Sequence, residues 1–487
     1  MAIIEATPET TASTQPAPTS TPAPYRWRWI ALAVAMSGMA MELLDASVTS
    51  VAGPTMRAEL GGGPSLIQWL TAGYTLAMVG GLLIGARLGD IFGRKRMFLF
   101  GATGFTLTSL LVALSQNPEF AIGSRVAQGL FGAAMVPQVF GLIKAMFPPS
   151  ETQKAFSLAG PIMGMSAIGG PILAGWLIGL NLFDSGWRLV FLINLPIGIA
   201  IVALAFRLLP RDEPATVKSL DLAGATLAIL ASTSMVYPLV QGHEAGWPAW
   251  SFGMIAASVV LFAVFGAHQV RRNRRGRDVL VLPSLFHKRA FNGGLVLGVL
   301  LIAAMTGLGF VMTLHLQLGL AYTPLEAAAA MVPFAVAMSA AMGAGPALAK
   351  YGRKTLMAGA LIKTAGIGAI ILALALAGAD LTWYHLAPGL MLSGVGAALF
   401  MGRYFDSVME GVEPREIGSA SGTLTAVQQL GASFGVALLG TAFFATYGPD
   451  VDSAVTASGT TLGLTGLILL VGFAVGFCLP KQTRTAD

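Results

Sequence analysis

The sequence predicts an all-α polytopic membrane protein, and three observations carry that reading. Hydrophobic residues make up 55% of the chain and charged residues only 11%, where a soluble domain carries roughly a quarter charged. Mean hydropathy is +0.73. Apolar stretches recur along the whole chain, each long enough for the roughly twenty residues a helix needs to cross a bilayer and longer than a membrane strand requires. Gly and Ala are frequent inside them, as close helix contact in lipid demands.

Taken in order, residues 1–24 are rich in Thr, Pro, Ala and Ser and have no basic stretch ahead of an apolar core. They read as a disordered tail, ending near residue 26, and not as a cleaved signal. Spans follow near 27–50, 66–88, 97–115, 120–147, 155–180 and 189–209, a first six-helix bundle over 27–209. Two more, near 220–240 and 250–269, belong to a linking region, 210–290. That region also holds the basic loop from Arg271 to Arg277 and an interfacial segment from Val279 to Phe291, whose Leu and Phe suit the headgroup boundary. Six further spans near 291–319, 324–349, 355–377, 383–405, 416–444 and 460–479 form a second bundle over 291–479, before a tail at 480–487. The total is about fourteen spans.

Charge placement supports the even count. With the N-terminus cytoplasmic, Arg94 to Arg96, Arg207 to Lys218, Arg271 to Arg277, Lys350 to Lys354, Arg415 and Lys481 to Arg484 all fall on one face. The other loops hold Asn117, Glu119, Asp184, His243, Glu244, Asp380, Asp450 and Asp452. The positive-inside rule then places both termini in the cytoplasm of a cell whose plasma membrane the chain crosses. It also accounts for the net charge of +6, so a nucleic-acid partner is not needed. Gly93-Arg94-Lys95 after the second span returns as Gly352-Arg353-Lys354 after the tenth, which suggests two related halves. Parallel halves with a site between them at mid-membrane are a transporter architecture.

Catalysis finds little support. The single cysteine, Cys478, excludes an internal disulfide framework and a multi-cysteine metal site. There is no phosphate-cradling Walker A sequence, and His243-Glu244 lacks the second His of a zinc site. No enzyme activity, metal, cofactor or obligatory protein partner is expected.

The candidate site residues are charges in the wrong solvent. Glu42 and Asp45 lie inside the first span, where an ionised side chain costs roughly 2.5–3.5 kcal/mol at the bilayer centre. Three residues apart, they are separated by about 60° around a helix and share a face, which should line a cavity. Arg125 in the fourth span cannot readily lose its charge and must face the interior toward an acid or carbonyl. Gln128 lies on nearly the same face. A carboxyl balanced between burial and a nearby cation is suited to exchange protons, whereas the plain structural reading is an acid paired with Arg125 for packing.

These residues sit in segments that resemble the major facilitator superfamily and, within it, the fourteen-helix drug:proton antiporters. Gly85, Gly89, Asp90, Gly93, Arg94 and Lys95 look like the superfamily's motif A, which latches the cytoplasmic gate; Ala349 stands where a second-half copy would have its Asp. Arg125, Gln128, Gly129 and Gly132 are similar to motif B, in which the arginine supports proton coupling. Gly164, Gly170, Pro171 and Gly175 look like the antiporter motif C, with Ala174 at a place often held by Gly. Trp187 to Gly198, Leu282 to Phe286 and Gly319 to Pro324 resemble further segments of the fourteen-helix group. Asp45 and Pro54 match its first-span pattern, but Ser47, Ser50 and Gly53 replace the usual Thr, Asn and Leu, which leaves substrate choice open.

The resemblance implies the major facilitator fold, two six-helix bundles plus two inserted helices. It implies proton-gradient-driven export of lipophilic drugs or antibiotics, cationic ones included, with Asp45, Glu42, Arg125 and Gln128 handling proton or substrate. The expected partners are a small molecule, protons and membrane lipid. Transport of an endogenous metabolite, import, or a receptor or scaffold role are the alternatives. Weaker candidates are His315 as a relay or structural residue, Glu326 at a helix start, and Lys363, which snorkels toward the cytoplasm unless it has a role. Gln428 occupies a family Arg position, and Arg403 with Asp406 reads as a local pair.

Overall fold

Short polar side chains set several helix starts by taking up backbone N–H groups that a first turn leaves free. Asn117 accepts from the Phe120 N–H at 2.9 Å ahead of Pro118. Asp221 does the same for Gly224 at 3.0 Å and Asp450 for Ser453 at 2.9 Å. Thr323 and Glu326 cap reciprocally around Pro324. The Asp450 cap explains why the last helix starts at Val451 and not near 460, where the apolar run begins.

The computed structural model describes residues 25–210, 220–343, 352–413, 416–448 and 450–477. Ala349, Arg415, Cys478, both predicted tails and most of the Arg207 to Lys218 loop lie outside the described residues. The first helices are α1 (Arg28–Leu60), α2 (Ser65–Phe92), α3 (Arg94–Ala113), α4 (Pro118–Met146), α5 (Ala159–Leu180) and α6 (Arg188–Leu208). Then come α7 (Leu222–Glu244) and α8 (Ala249–Arg274). The last are α9 (Arg289–Gly319), α10 (Pro324–Gly343), α11 (Arg353–Ala377), α12 (Trp383–Met409), α13 (Ile417–Phe444) and α14 (Val451–Gly476). Every predicted apolar segment contains one of these helices.

Among the described residues twelve helices are long and apolar enough to cross a membrane, and α2, bent by 48° after Leu82, makes a thirteenth. In α5 the apolar stretch is shorter, Gly169–Leu180. A separate helix, Pro149–Ser157, precedes it, so the predicted fifth span began too early. In α6 the regular helix breaks at Ile193, where Pro196 offers no N–H to the Leu192 carbonyl.

The packing repeats. Within the first six helices α2 and α3 pack on α4, α1 on α5 and α6, and α3 on α6. Within the last six α10 and α11 pack on α12, α9 on α13 and α14, and α11 on α14, the same pairs shifted by eight. The halves meet where α2 contacts α13 and where α5 contacts α10. These two seams are equivalent under the same shift. The inserted α7 rests on α2 and α13, with Leu76, Val236 and Ala437 buried at the junction, and α8 packs on α7. Phe252, Val259 and Val260 of α8 are exposed, as suits a lipid-facing helix.

The start of α1, the start of α3 and the end of α6 lie on one face, together with basic residues. There Arg28 pairs with Glu151 at 2.8 Å, Tyr25 donates to the Leu208 carbonyl at 3.0 Å, and Lys95 donates to the Leu209 carbonyl at 2.6 Å. On the opposite face Arg188 pairs with Glu59, and Ser65 donates to Glu244 at 2.9 Å.

Candidate functional site

Asp45, Arg125 and Gln128, on α1 and α4, come together in the interior of the first half. The Arg125 guanidinium donates to Asp45 Oδ2, and its Nη1 also donates to Gln128 Oε1 at 2.5 Å. Its Nε donates to the Leu70 carbonyl of α2 at 3.2 Å. Gln128 Nε2 in turn donates to Asp45 Oδ1 at 3.0 Å and to Ser109 Oγ of α3 at 2.7 Å. Asn194, at the break in α6, donates to Asp45 Oδ1 at 2.8 Å and to Ser109 at 3.2 Å. Five helices therefore join one network, in which α4 and α6 donate directly to the carboxylate on α1. None of these side chains is more than 4% exposed, so the network replaces water with fixed donors, as a buried charge requires.

Glu42 is on the same side of α1 but has a different partner. The Tyr74 hydroxyl of α2 donates to Glu42 Oε1 at 2.9 Å. The Tyr74 ring also faces the guanidinium, with Arg125 Cζ 4.3 Å from its centroid. The two acids thus share Arg125, one directly and one through an aromatic ring. Asp45, Asn194 and Ser37 border a cavity of about 220 Å³ between α1, α5 and α6, otherwise walled by apolar residues such as Leu44, Leu173 and Val190. A drug-sized pocket runs to roughly 300–1,000 Å³, so in this conformation the cavity accepts part of such a molecule.

The glycines of the predicted gate segment serve helix contact. A Cβ at Gly85 would lie 2.3 Å from the Ala133 carbonyl oxygen, and one at Gly89 would lie 1.9 Å from Gln138 Oε1. Gln138 Nε2 uses the closeness to donate to the Gly85 carbonyl at 2.8 Å. Gly93 turns the chain with a φ of 93°, in the left-handed region that favours glycine. Arg94 donates to Asp90 at 3.2 Å and to the Gly141 carbonyl at 2.9 Å. Asp90 also borders a cavity of about 540 Å³ at the basic face, between α2, the segment after α8, and α13. Arg87, Arg277, Asp278 and Ser419 line it too.

On the opposite face the halves touch. Gln317 Nε2 of α9 donates to the Val51 carbonyl of α1 at 3.1 Å. A Cβ at Gly175 would lie 2.5 Å from Leu325 Cα of α10, and Gly170 faces Ser47 of α1. Two of the predicted antiporter glycines thus sit where α5 meets its neighbours, with Pro171 inside the helix. Gly164 is helical, and its surroundings lie outside the described residues.

The weaker candidates stand apart from the network. His315 is buried and bonded through Nδ1 to Ser458 Oγ at 2.8 Å. Glu326 belongs to an exposed capping box. Gln428 is half-buried, and its Nε2 has no partner among the described residues. Lys363 does not snorkel, because its side chain is only 1% exposed; the α11–α12 seam encloses it.

Three members of the network, Tyr74, Ser109 and Asn194, were not singled out by sequence reasoning. Ser109 is a hydroxyl of the kind that often bonds its own helix, Tyr74 reads as an aromatic packing residue, and nothing in spacing along the chain reveals a partner on another span. Asn194 carried a usable signal, an amide in an apolar run two residues before Pro196.

Comparison with known proteins agrees with this geometry. Residues 30–436 match the family model described as the Major Facilitator Superfamily. The chain is 43% identical over 432 residues to the "Probable actinorhodin transporter" of Streptomyces coelicolor, covering 88% of this chain and 75% of the relative. It is 32% identical over 471 residues to the "Puromycin resistance protein pur8" of Streptomyces alboniger, covering 93% and 91%. Among solved structures, the inward open conformation of the xylose transporter XylE from E. coli matches with a TM-score of 0.62 at 15% identity, covering 94% of this chain and 97% of that one.

Proposed function

Because this chain belongs to the major facilitator superfamily, we propose that it exports lipophilic antibiotics or drugs across the cell membrane by alternating access, driven by entry of protons. The single observation that carries the proton coupling is the buried Asp45 with its three side-chain donors from α4 and α6. The export direction and substrate class are supported by the similarity to the actinorhodin and puromycin relatives. The basic face is the cytoplasmic face, in keeping with the positive-inside rule, and both termini lie on that side. The chain catalyses no reaction and holds no cofactor.

The mechanism follows from what protonation does to a crowded acceptor. An ionised carboxylate only accepts, whereas a protonated one carries a donor. A proton on Asp45 Oδ2 therefore faces the Arg125 donor, and the charged bond between α1 and α4 is lost, while Oδ1 keeps Gln128 and Asn194. Arg125 keeps Gln128 Oε1 and the Leu70 carbonyl as acceptors, so α4 and α2 stay satisfied while the hold on α1 is loosened. Six residues along α1, about 9 Å of helix, Val51 accepts the bond from Gln317 of the other half. A change in how α1 is held at Asp45 is thereby felt at the contact that closes the opposite face. A lipophilic substrate in the cavity beside Asp45 and Asn194 adjoins the same carboxylate, which couples its occupancy to that of the proton.

Everted vesicles or proteoliposomes with an imposed pH gradient test this with a panel of lipophilic compounds. Gradient-dependent uptake into everted vesicles is expected. Folded protein that moves none of them, or that moves them only down the proton gradient, would overturn export by antiport.

A further inference from the structure

The second half contains a buried cation that the coupling network does not use. Lys363 lies ten residues beyond Arg353 on α11, about 15 Å from its basic end, farther than a lysine stem reaches. It is 1% exposed, and its Nζ has no hydrogen-bond partner among the described residues. The Phe334 ring of α10 lies 5.4 Å from Nζ. Ser393 of α12, fully buried, also has an Oγ without a partner among the described residues. The two donors are close in the fold. A Cβ at Gly366 would lie 2.5 Å from Ser393 Oγ, and a Cβ at Gly396 would lie 2.7 Å from Lys363 Cβ. Each glycine is three residues, about one turn, from the other group's position on its own helix.

A buried cation and a buried hydroxyl without acceptors are each unfavourable, and both call for the same thing, an acceptor-rich group. The first half shows what completes such a corner. There Arg125 also lies over an aromatic ring, Tyr74, and its charge is met by the carboxylate of Asp45. The corner at Lys363 has the cation and the ring but no described carboxylate.

We propose that Lys363, with Ser393 and Phe334, forms a binding corner for the anionic group of a lipophilic aromatic substrate, a carboxylate or ionised phenol. Lys363 Nζ meets the charge, the serine hydroxyl donates to a second lone pair, and the ring packs against the ligand's aromatic edge. The corner deepens the export reading, on which it rests, by naming an anionic class of substrate, where the expectation from sequence is lipophilic compounds with cationic ones included. It also divides the labour between halves, with the proton acceptor in one and the anion recogniser in the other.

The test is equilibrium binding of 1-pyrenebutyrate and of its neutral methyl ester to the purified full-length protein, read by energy transfer from tryptophan to pyrene. Wild type is expected to bind the acid more tightly than the ester. Lys363→Met should weaken the acid by at least about tenfold, the effect of one charge-assisted hydrogen bond, and leave the ester within about twofold. Lys363→Arg should restore most of the acid's affinity, and unchanged ester binding reports that the variants are folded. An equal effect on acid and ester, or a wild type that binds neither or prefers the ester, overturns the proposal. Gradient-driven flux measured in parallel separates the two readings. Flux without charge-selective loss in Lys363→Met refutes the corner alone, and charge-selective binding without flux refutes export alone.

Discussion

Replacing Asp45 with Asn changes the charge at the network's centre and leaves its shape. In the wild type Oδ1 accepts from Gln128 and Asn194, and Oδ2 accepts from Arg125. An amide cannot serve both sets, because its NH2 group must face either the two side-chain amides or the guanidinium, a donor against donors. At least one bond to a charged group is lost, worth about 1.5–3 kcal/mol. Removing one partner of a buried ion pair costs about 3–5 kcal/mol when the remaining charge is stranded. Arg125 keeps two neutral acceptors, so the loss should fall near the lower bound, about 3 kcal/mol. Adding Arg125→Gln removes the stranded charge, and the double variant should be more stable than the sum of the singles by about 2 kcal/mol, within the range for residues in one network. Unfolding in mixed micelles at increasing SDS fraction, followed by tryptophan fluorescence, measures both quantities. Proteoliposome flux is read on the same samples, and all three variants should lose dependence on the pH gradient. Additive effects of under about 0.5 kcal/mol would refute the pairing itself. Recovered stability with recovered coupled flux would refute a proton role for Asp45.

Two further outcomes follow from packing and from charge. Gly85→Ala pushes a Cβ to 2.3 Å from a backbone oxygen of α4 and should destabilise by about 1–3 kcal/mol, while Gly123→Ala, with nothing within 4 Å, should be neutral or gain about 0.5–1 kcal/mol of helix stability; equal effects in the same assay would argue against the α2–α4 contact. At the basic face, Lys288, Ser284 and the Glu413 N–H together hold the Glu416 carboxyl at about 2, below its ordinary 4.5. A depressed carboxyl stabilises the fold above its unfolded value, so this contribution is complete above about pH 4.5 and is lost as pH falls toward 2. Glu416→Gln should therefore be less stable than wild type at pH 7, and the difference in thermal midpoint should shrink between pH 5 and pH 3. A difference that stays constant over that range would dismiss the ion pair with Lys288.

The elements were legible in sequence because a bilayer imposes length and apolarity on every span, and the chain shows both directly. Two kinds of detail were not. Polar ends hide helix turns, as at Val451, where Asp450 and Asp452 read as loop until the cap is seen. Contacts across helices are likewise invisible in spacing. Asp45, Arg125 and Gln128 stood out because a charge or amide in hydrocarbon needs a partner, so their convergence could be anticipated. Tyr74 and Ser109 carry no such demand and drew no attention, although each bridges two members of the site. Lys363 shows the opposite failure. Its charge was noticed, but snorkelling depends on which way the side chain leaves the helix, and at Lys363 the close approach of Gly396 on α12 and the ring of Phe334 on α10 hold it inside.

The arrangement also distinguishes the two acids of α1 on physical grounds. Asp45 accepts from α4 and α6 directly, so a change in its protonation alters the hold on α1 from two neighbours at once. Among the described residues Glu42 is bonded to Tyr74 alone, and Tyr74 reaches the cation only through its ring. Losing one carboxylate–phenol bond leaves the α1–α4 tie intact, whereas losing the Asp45–Arg125 bond leaves the guanidinium on Gln128, the Leu70 carbonyl and the ring of Tyr74, next to Glu42. The second acid is thus placed to register the state of the first. On the proposed mechanism Asp45 carries the switch, and Glu42 lies beside it with the Tyr74 hydroxyl as its partner.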